Sequence, residues 1–342
     1  MTYIKNFKVT EDILQFEIDN ISNKINISLV NAIRRTIISD IESYVIDEKN
    51  VSFFHNSSML NDEFLIHRLK LIPIISNLDD IDYENLKISC KKNNDGENML
   101  SVYVKDFVCT DRGNVVEIDK IFKYPGILFG KLKNNQEVIF EAKLNKNNSE
   151  KGGSFYSTVS KCVYVFKQDN LKINECIKDM NDTQKRAFNT LEAERLYEIN
   201  KNGYPNTYQF TIEPIGFYDS INILKIGLKL LIEKLNIVKY EFTNKESNKI
   251  KIIYKDDSPD FHHFLIDNEN ETIGNLLQTY IVYNTNVLFC GFVIEHPLKK
   301  NILFKIKLND DNTIESAINV ILKNINIIDN ILNDLFNEIM TY

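Results

Sequence analysis

The chain has 342 residues, 43% of them hydrophobic and 26% charged, enough apolar material for a sizeable core in about two domains. Its 41 basic and 48 acidic residues give a net charge of −7, which opposes nonspecific attraction to nucleic acid or to an anionic membrane. Five scattered cysteines with no CxxC pair argue against a zinc ribbon and for a reducing compartment, and no stretch approaches a signal peptide or the ~20 apolar residues of a membrane span.

Two short alternating segments, Tyr3 to Val9 and Ile13 to Ile18, flank Thr10-Glu11-Asp12 and predict strand, turn, strand. Next comes a helical pattern with Leu29, Ile33, Ile37 and Ile41 on one face, Arg34 and Arg35 off it, and Ser28 placed to cap it. Strand-like stretches at Ser43 to Asp47 and Val51 to Phe54 lead to Leu60 to Ile74, a short amphipathic segment. Pro73 stops it, lacking an N–H and disfavouring helix in the residue before it.

From Asn77 to Asn206 short β-like segments alternate with turn residues: Leu86 to Cys90, Leu100 to Val108, Val115 to Ile118, Gln136 to Leu144 and Ser157 to Phe166. Lys172 to Glu198 has helix-compatible composition but poor periodicity, and it is grouped with this insert. A strand at Tyr208 to Glu213 then precedes a helix whose Ile221, Leu224, Leu228, Leu231 and Leu235 are spaced 3, 4, 3, 4. Such a seam wants another helix against it.

Asn244 to Pro259, polar around a strand-like Ile250 to Tyr254, is the candidate linker. Beyond it the plan repeats: strand Phe261 to Ile266, Thr272 as a cap, a helix over Ile273 to Ile281 with Leu276 and Leu277 on its apolar side, and strands Val287 to Glu295 and Ile302 to Leu308. A closing helix carries Ile321, Ile325, Ile328 and Leu332 within a seam from Ile314 to Ile339. Setting Asn275 on Asn31 also sets Thr272 on Ser28, Leu277 on Ile33 and Ile281 on Ile37.

These patterns predict an α+β chain folded as an intramolecular pseudo-dimer. The predicted boundaries are 1–45 with 206–243 for a discontinuous first dimerisation domain, 46–205 for a mostly β insert, 244–259 for the linker and 260–342 for the second domain. Each half exposes an apolar helix face it cannot cover alone, and each buried side chain of that kind is worth about 1.5 to 3 kcal/mol before entropy.

Asn31-Ala32-Ile33-Arg34-Arg35-Thr36, with Leu60 to Phe64 and His67 to Pro73, closely resembles the third-largest subunit of eukaryotic RNA polymerase II, its archaeal counterpart and the amino-terminal domain of the bacterial alpha subunit. Phe264 to Leu277, Gly291-Phe292 and His296-Pro297-Leu298 are similar to their smaller partner, the eleventh polymerase II subunit or its archaeal equivalent. The larger-first fusion is similar to polymerase subunits of large nucleocytoplasmic DNA viruses, which implies a cytoplasmic viral factory and packaging in the virion, with the nucleus as an alternative.

The resemblance implies a non-catalytic platform for a DNA-directed RNA polymerase. Its implied partners are the largest and second-largest subunits and a small adaptor of the tenth-subunit type, with no sequence-specific nucleic-acid contact, no membrane and no cofactor. It implies large-subunit contacts at Asn31, Arg34, Arg35, Asp62, Glu63, His67 and Arg68. Several relatives hold zinc or an iron–sulfur centre in the insert; here Cys90, Cys109, Cys162 and Cys176 are 19, 53 and 14 residues apart, so no metal is expected.

Competing readings are a free-standing homodimeric scaffold and an enzyme of unknown chemistry between the halves. For the second, His67 beside Asp62 and Glu63, or Cys290 with His296, would be the reactive groups. A histidine and carboxylates on one short helix are more often a surface arrangement, and Cys290 lies in an apolar run suited to a strand core. No P-loop, GxGxxG or GxSxG is present.

Overall fold

The computed structural model describes residues 2–20, 23–76, 81–244, 249–253, 260–296, 298–309 and 311–342. The chain opens with an antiparallel hairpin of β1 (Ile4–Thr10) and β2 (Ile13–Asp19). Glu11 and Asp12 between them take positive φ, 50° and 68°, as a tight hairpin turn requires. Helix α1 (Ile27–Ser39) follows. Its cap is Asn26 and not Ser28: the Asn26 Oδ1 accepts the Leu29 N–H at 3.1 Å and the Ser28 hydroxyl at 2.5 Å. Asparagine and serine cap about equally well, so the sequence alone does not choose between them.

The two strand-like stretches after α1 are one strand, β3 (Glu42–Asn56), whose pairing skips register between Ile46 and Val51 as a bulge does. Helix α2 (Asp62–Lys70) is capped by Asn61, which accepts the Phe64 N–H, and ends at Leu71, two residues before Pro73.

The insert then runs through β4 (Lys87–Asn94), β5 (Leu100–Tyr103), β6 (Val108–Asp111), β7 (Asn114–Val116), the short α3 (Ile118–Ile121), β8 (Leu128–Leu132), β9 (Gln136–Asn148), the turn-like α4 (Ser149–Gly152) and β10 (Val159–Phe166). Leu100 to Val108 is not a single strand: a 3-10 turn at Val104–Asp106 breaks it, with Asp106 accepting the Tyr103 N–H at 2.8 Å. β8 gave no strand signal because Gly130 interrupts a five-residue segment. Apart from β10, these strands form with β3 a five-stranded sheet, β3-β9-β4-β6-β7, and a separate pair, β5-β8. Phe107 meets Phe129 and Phe140 edge-on, each at 5.3 Å, in a core that Leu65 and Leu69 of α2 also enter.

Residues 172–198, which the sequence grouped with the insert, hold most of two helices, α5 (Asn170–Ile177) and α6 (Asp182–Leu191). After them, β11 (Thr207–Pro214) closes a sheet of order β1-β2-β11-β10. Helix α7 (Ser220–Thr243) follows. The second half comprises β12 (Ile250–Ile253), β13 (His262–Asp267), α8 (Glu271–Val282), β14 (Val287–Val293), β15 (Asn301–Leu308) and α9 (Ile314–Ile339), with sheet order β12-β13-β15-β14. Of the expected linker, β12 pairs with β13 and so belongs to this sheet; 245–248 and 254–259 lie outside the described residues. The α8 cap is Asn270, which accepts the Thr272 N–H at 3.0 Å, so Thr272 is inside the helix.

Two compact units emerge. One comprises Met1–Thr36, Cys162–Ile212 and Leu224–Tyr342; the other comprises Ile37–Lys161 and Glu213–Ile223. The α5–α6 segment therefore sits in the unit that holds most of both halves, carried there between β10 and β11. Leu29, Ile33, Ile37, Leu224, Leu228, Leu231, Leu235, Leu276, Leu277, Ile321, Ile325, Ile328 and Leu332 are all buried, none more than 1% exposed. The architecture is α+β, with two modules of one plan and a β-rich insert. No helix of the described residues is long and apolar enough to cross a membrane.

Candidate assembly interface

The repeat is sharper in three dimensions than in sequence. The caps Asn26 and Asn270 are separated by the same 244 residues as Asn31 and Asn275. Along α1 and α8, Leu29 matches Ile273, Ile33 matches Leu277 and Ile37 matches Ile281, and all six are buried. Within the first unit the halves touch through specific bonds. Tyr280 Oη donates to the Lys24 carbonyl at 2.7 Å, and the Tyr3 and Ile4 N–H groups donate to the Glu338 carboxylate at 2.8 to 2.9 Å. Phe7 stacks on Tyr342 with centroids 4.3 Å apart, and Phe242 meets Phe264 edge-on at 5.6 Å.

On α1, Asn31, Arg34 and Arg35 are half-buried. Arg34 Nε donates to Asn31 Oδ1 at 3.0 Å, one turn back on the same helix. Arg35 instead reaches the second half, its Nε donating to Thr272 Oγ1 at 2.8 Å and its guanidinium lying 3.6 Å from the Glu271 carboxylate. The two neighbouring arginines thus have different surroundings.

On α2, Asp62, Glu63, His67 and Arg68 are exposed. Asp62 accepts from Asn56 at 2.7 Å and Glu63 from Asn61 at 2.6 Å. Arg68 is committed to its own fold: Nε donates to the Phe129 carbonyl at 2.8 Å and a terminal nitrogen to the Leu128 carbonyl at 2.5 Å. Leu65 and Leu69 face the core, whereas Phe64 is 62% and Leu71 70% exposed. Charge drew attention to the first four residues. The better signal was that α2 and its ends carry two apolar stripes, Leu60-Phe64-Leu71 and Leu65-Leu69-Ile72, of which a nine-residue helix buries only one.

A family model described as the RNA polymerase Rpb3/Rpb11 dimerisation domain matches residues 21–235, more than half of the chain. The chain belongs to this family. A second model of the same description matches residues 262–337, giving two dimerisation domains in one polypeptide. The DNA-directed RNA polymerase subunit Rpo3 of Pyrococcus horikoshii is 28% identical over 262 residues, covering 68% of this chain and 95% of the relative. Rpo3 of Pyrococcus furiosus is 27% identical over 247 residues, covering 66% and 90%. Subunit 3 of DNA-directed RNA polymerases II, IV and V of Arabidopsis thaliana is 40% identical over 73 residues, 21% of each chain.

In this Rpb3/Rpb11-type chain the other reactive side chains serve local structure. Burial pushes the thiols of Cys90, Cys109, Cys162 and Cys290 up to about 12, and only Cys176 is exposed. Cys290 is therefore held as a thiol, while His296 Nδ1 accepts the Leu298 N–H at 3.1 Å. That geometry does not make a nucleophile and its base. Among the described residues no group of three or more His, Cys, Asp or Glu side chains is gathered so as to hold a metal ion.

Proposed function

We propose that this chain is the non-catalytic assembly subunit of a multisubunit DNA-directed RNA polymerase. In it the larger and smaller pairing partners are joined in one polypeptide that positions the largest and second-largest subunits. The observation that carries this reading is the pair of dimerisation-domain matches, 21–235 and 262–337, in one chain. Burial of the seam residues on α1, α7, α8 and α9 supports it. The archaeal Rpo3 matches support the polymerase context.

Docking of the large subunits belongs to the same proposal. From α1 it uses Asn31 and Arg34; from α2 it uses Asp62, Glu63 and His67, with Phe64 and Leu71 as apolar anchors. Exposed aromatic and aliphatic side chains ringed by charge suit the centre of an obligate interface, which commonly exceeds about 2,000 Å2. Arg35 and Arg68 drop out of this set, because each guanidinium is bonded to a group outside its own helix, whereas Arg34 bonds only one turn back along α1. The small adaptor subunit is assigned to the first module.

Co-expression with the two large subunits tests the docking reading. Phe64→Asp with Leu71→Asp should cut recovery of the complex at least about tenfold, the loss expected when central apolar anchors are removed, while the chain keeps its thermal midpoint. Undiminished recovery would remove α2 from the interface.

A further inference from the structure

Helices α1 and α8 hold each other through contacts that occupy matching places but use different chemistry. From α1, Arg35 reaches Thr272 and Glu271 in the first turn of α8. From α8, Tyr280 reaches the Lys24 carbonyl in the approach to α1. Under the repeat's 244-residue shift, Arg35 corresponds to Thr279, Tyr280 to Thr36, Glu271 to Ile27 and Lys24 to Asn268. At the first three of these positions the two modules differ in kind; at the fourth the contact uses a backbone carbonyl, which Asn268 carries as well.

That difference bears on which module pairs with which. The buried leucines and isoleucines of the seams attract any apolar face, because hydrophobic burial has no direction. Discrimination needs a penalty on the wrong partner as well as a fit to the right one. If two first modules from separate chains paired, Arg35 would face Ile27 and Ser28 and find no carboxylate. Thr36, whose buried hydroxyl has no hydrogen-bond partner among the described residues, is too short to replace Tyr280. If two second modules paired, Thr279 would stand where the arginine is needed, and Glu271 would face no cation.

We infer that Arg35 with Glu271 and Thr272, together with Tyr280, which reaches the backbone carbonyl of Lys24, form a pairing code that makes each module select the other module of its own chain over its like on a second copy. The two contacts differ in strength. The Arg35–Glu271 pair is partly exposed, with side chains 41% and 57% accessible, and such pairs contribute little alone. Burial pushes the Tyr280 hydroxyl above its usual range, and at 2.7 Å its bond to the Lys24 carbonyl is much closer than the 3.6 Å ion pair. Glu271 also lies in the first turn of α8, where the helix dipole favours a carboxylate. Arg35 thus serves pairing, whereas Arg34 bonds along its own helix and is the arginine of α1 in the proposed docking set.

The test uses the full chain, with its solution mass measured by sedimentation over a wide concentration range and its thermal midpoint measured alongside. The unmodified chain should stay monomeric. Arg35→Glu with Tyr280→Phe should lower the midpoint and let the mass climb toward a dimer with concentration. Adding Glu271→Arg, which restores the ion pair with reversed sign, should return both toward the starting values. Should the double variant be too unstable to measure, Arg35→Glu with and without Glu271→Arg carries the same comparison, rescue supporting the code and failure of rescue contradicting it. A starting chain that dimerises, a variant that loses stability but stays monomeric, or an unchanged double variant would each overturn the code.

Discussion

Arginines show most plainly how far single residues were legible. Arg34, Arg35 and Arg68 look alike in sequence, each beside an apolar helix face, yet one bonds to its own helix, one crosses to the second half and one holds β8 by its carbonyls. Those partners lie from three to 237 positions away, and no local spacing rule reaches the distant ones. Four of the cysteines were more legible, because a thiol inside an alternating apolar strand is buried by the strand's own pleat; Cys176, expected to be buried with them, lies on α5 and is exposed. A prediction follows from their pKa directions. A thiol reacts as its thiolate, and raising the group from about 9 to about 12 makes that form scarce at about pH 8 in Cys90, Cys109, Cys162 and Cys290. Brief alkylation of the native chain under those conditions, read by intact mass, should therefore label Cys176 alone, and all five cysteines after denaturation. The same four thiols stabilise the fold below about pH 9 and lose that contribution as pH rises toward about 12, since the unfolded chain ionises first.

Elements were legible wherever one periodicity decided them. The seams of α7 and α9, the β1–β2 hairpin and the stop at Pro73 all rest on local chemistry that tertiary context reinforces. The misplaced features depended on something else: caps where two capping residues compete, the bulge in β3, the short β8, and the α5–α6 pair, whose apolar Leu171 and Leu191 remain 79% and 67% exposed. In α2 the two apolar stripes make a prediction of their own. Leu69 is fully buried and Phe64 largely exposed, so Leu69→Ala should cost about 2 to 5 kcal/mol of stability. Phe64→Ala should change stability by no more than about 0.5 kcal/mol. Chemical denaturation of both variants checks the contrast; equal losses would mean that Phe64 belongs to the core and not to a docking face.

For the whole molecule, the fold class and the two-module plan were legible because repetition adds up across many weak positions: caps, asparagines and apolar faces agree at one shift of 244 residues. What a sequence cannot display is which surface the finished fold leaves uncovered, since that depends on what the chain has already used. The proposed docking set therefore emerged only once Arg35 and Arg68 were seen engaged and Phe64 and Leu71 exposed. The central claim is that the chain positions the large subunits of a transcribing enzyme. Affinity purification of the tagged full-length chain from its native cell, with mass spectrometry of what accompanies it, tests that claim most directly. The account predicts stoichiometric recovery of two RNA polymerase large subunits; recovery of the chain alone, or only with further copies of itself, would contradict it.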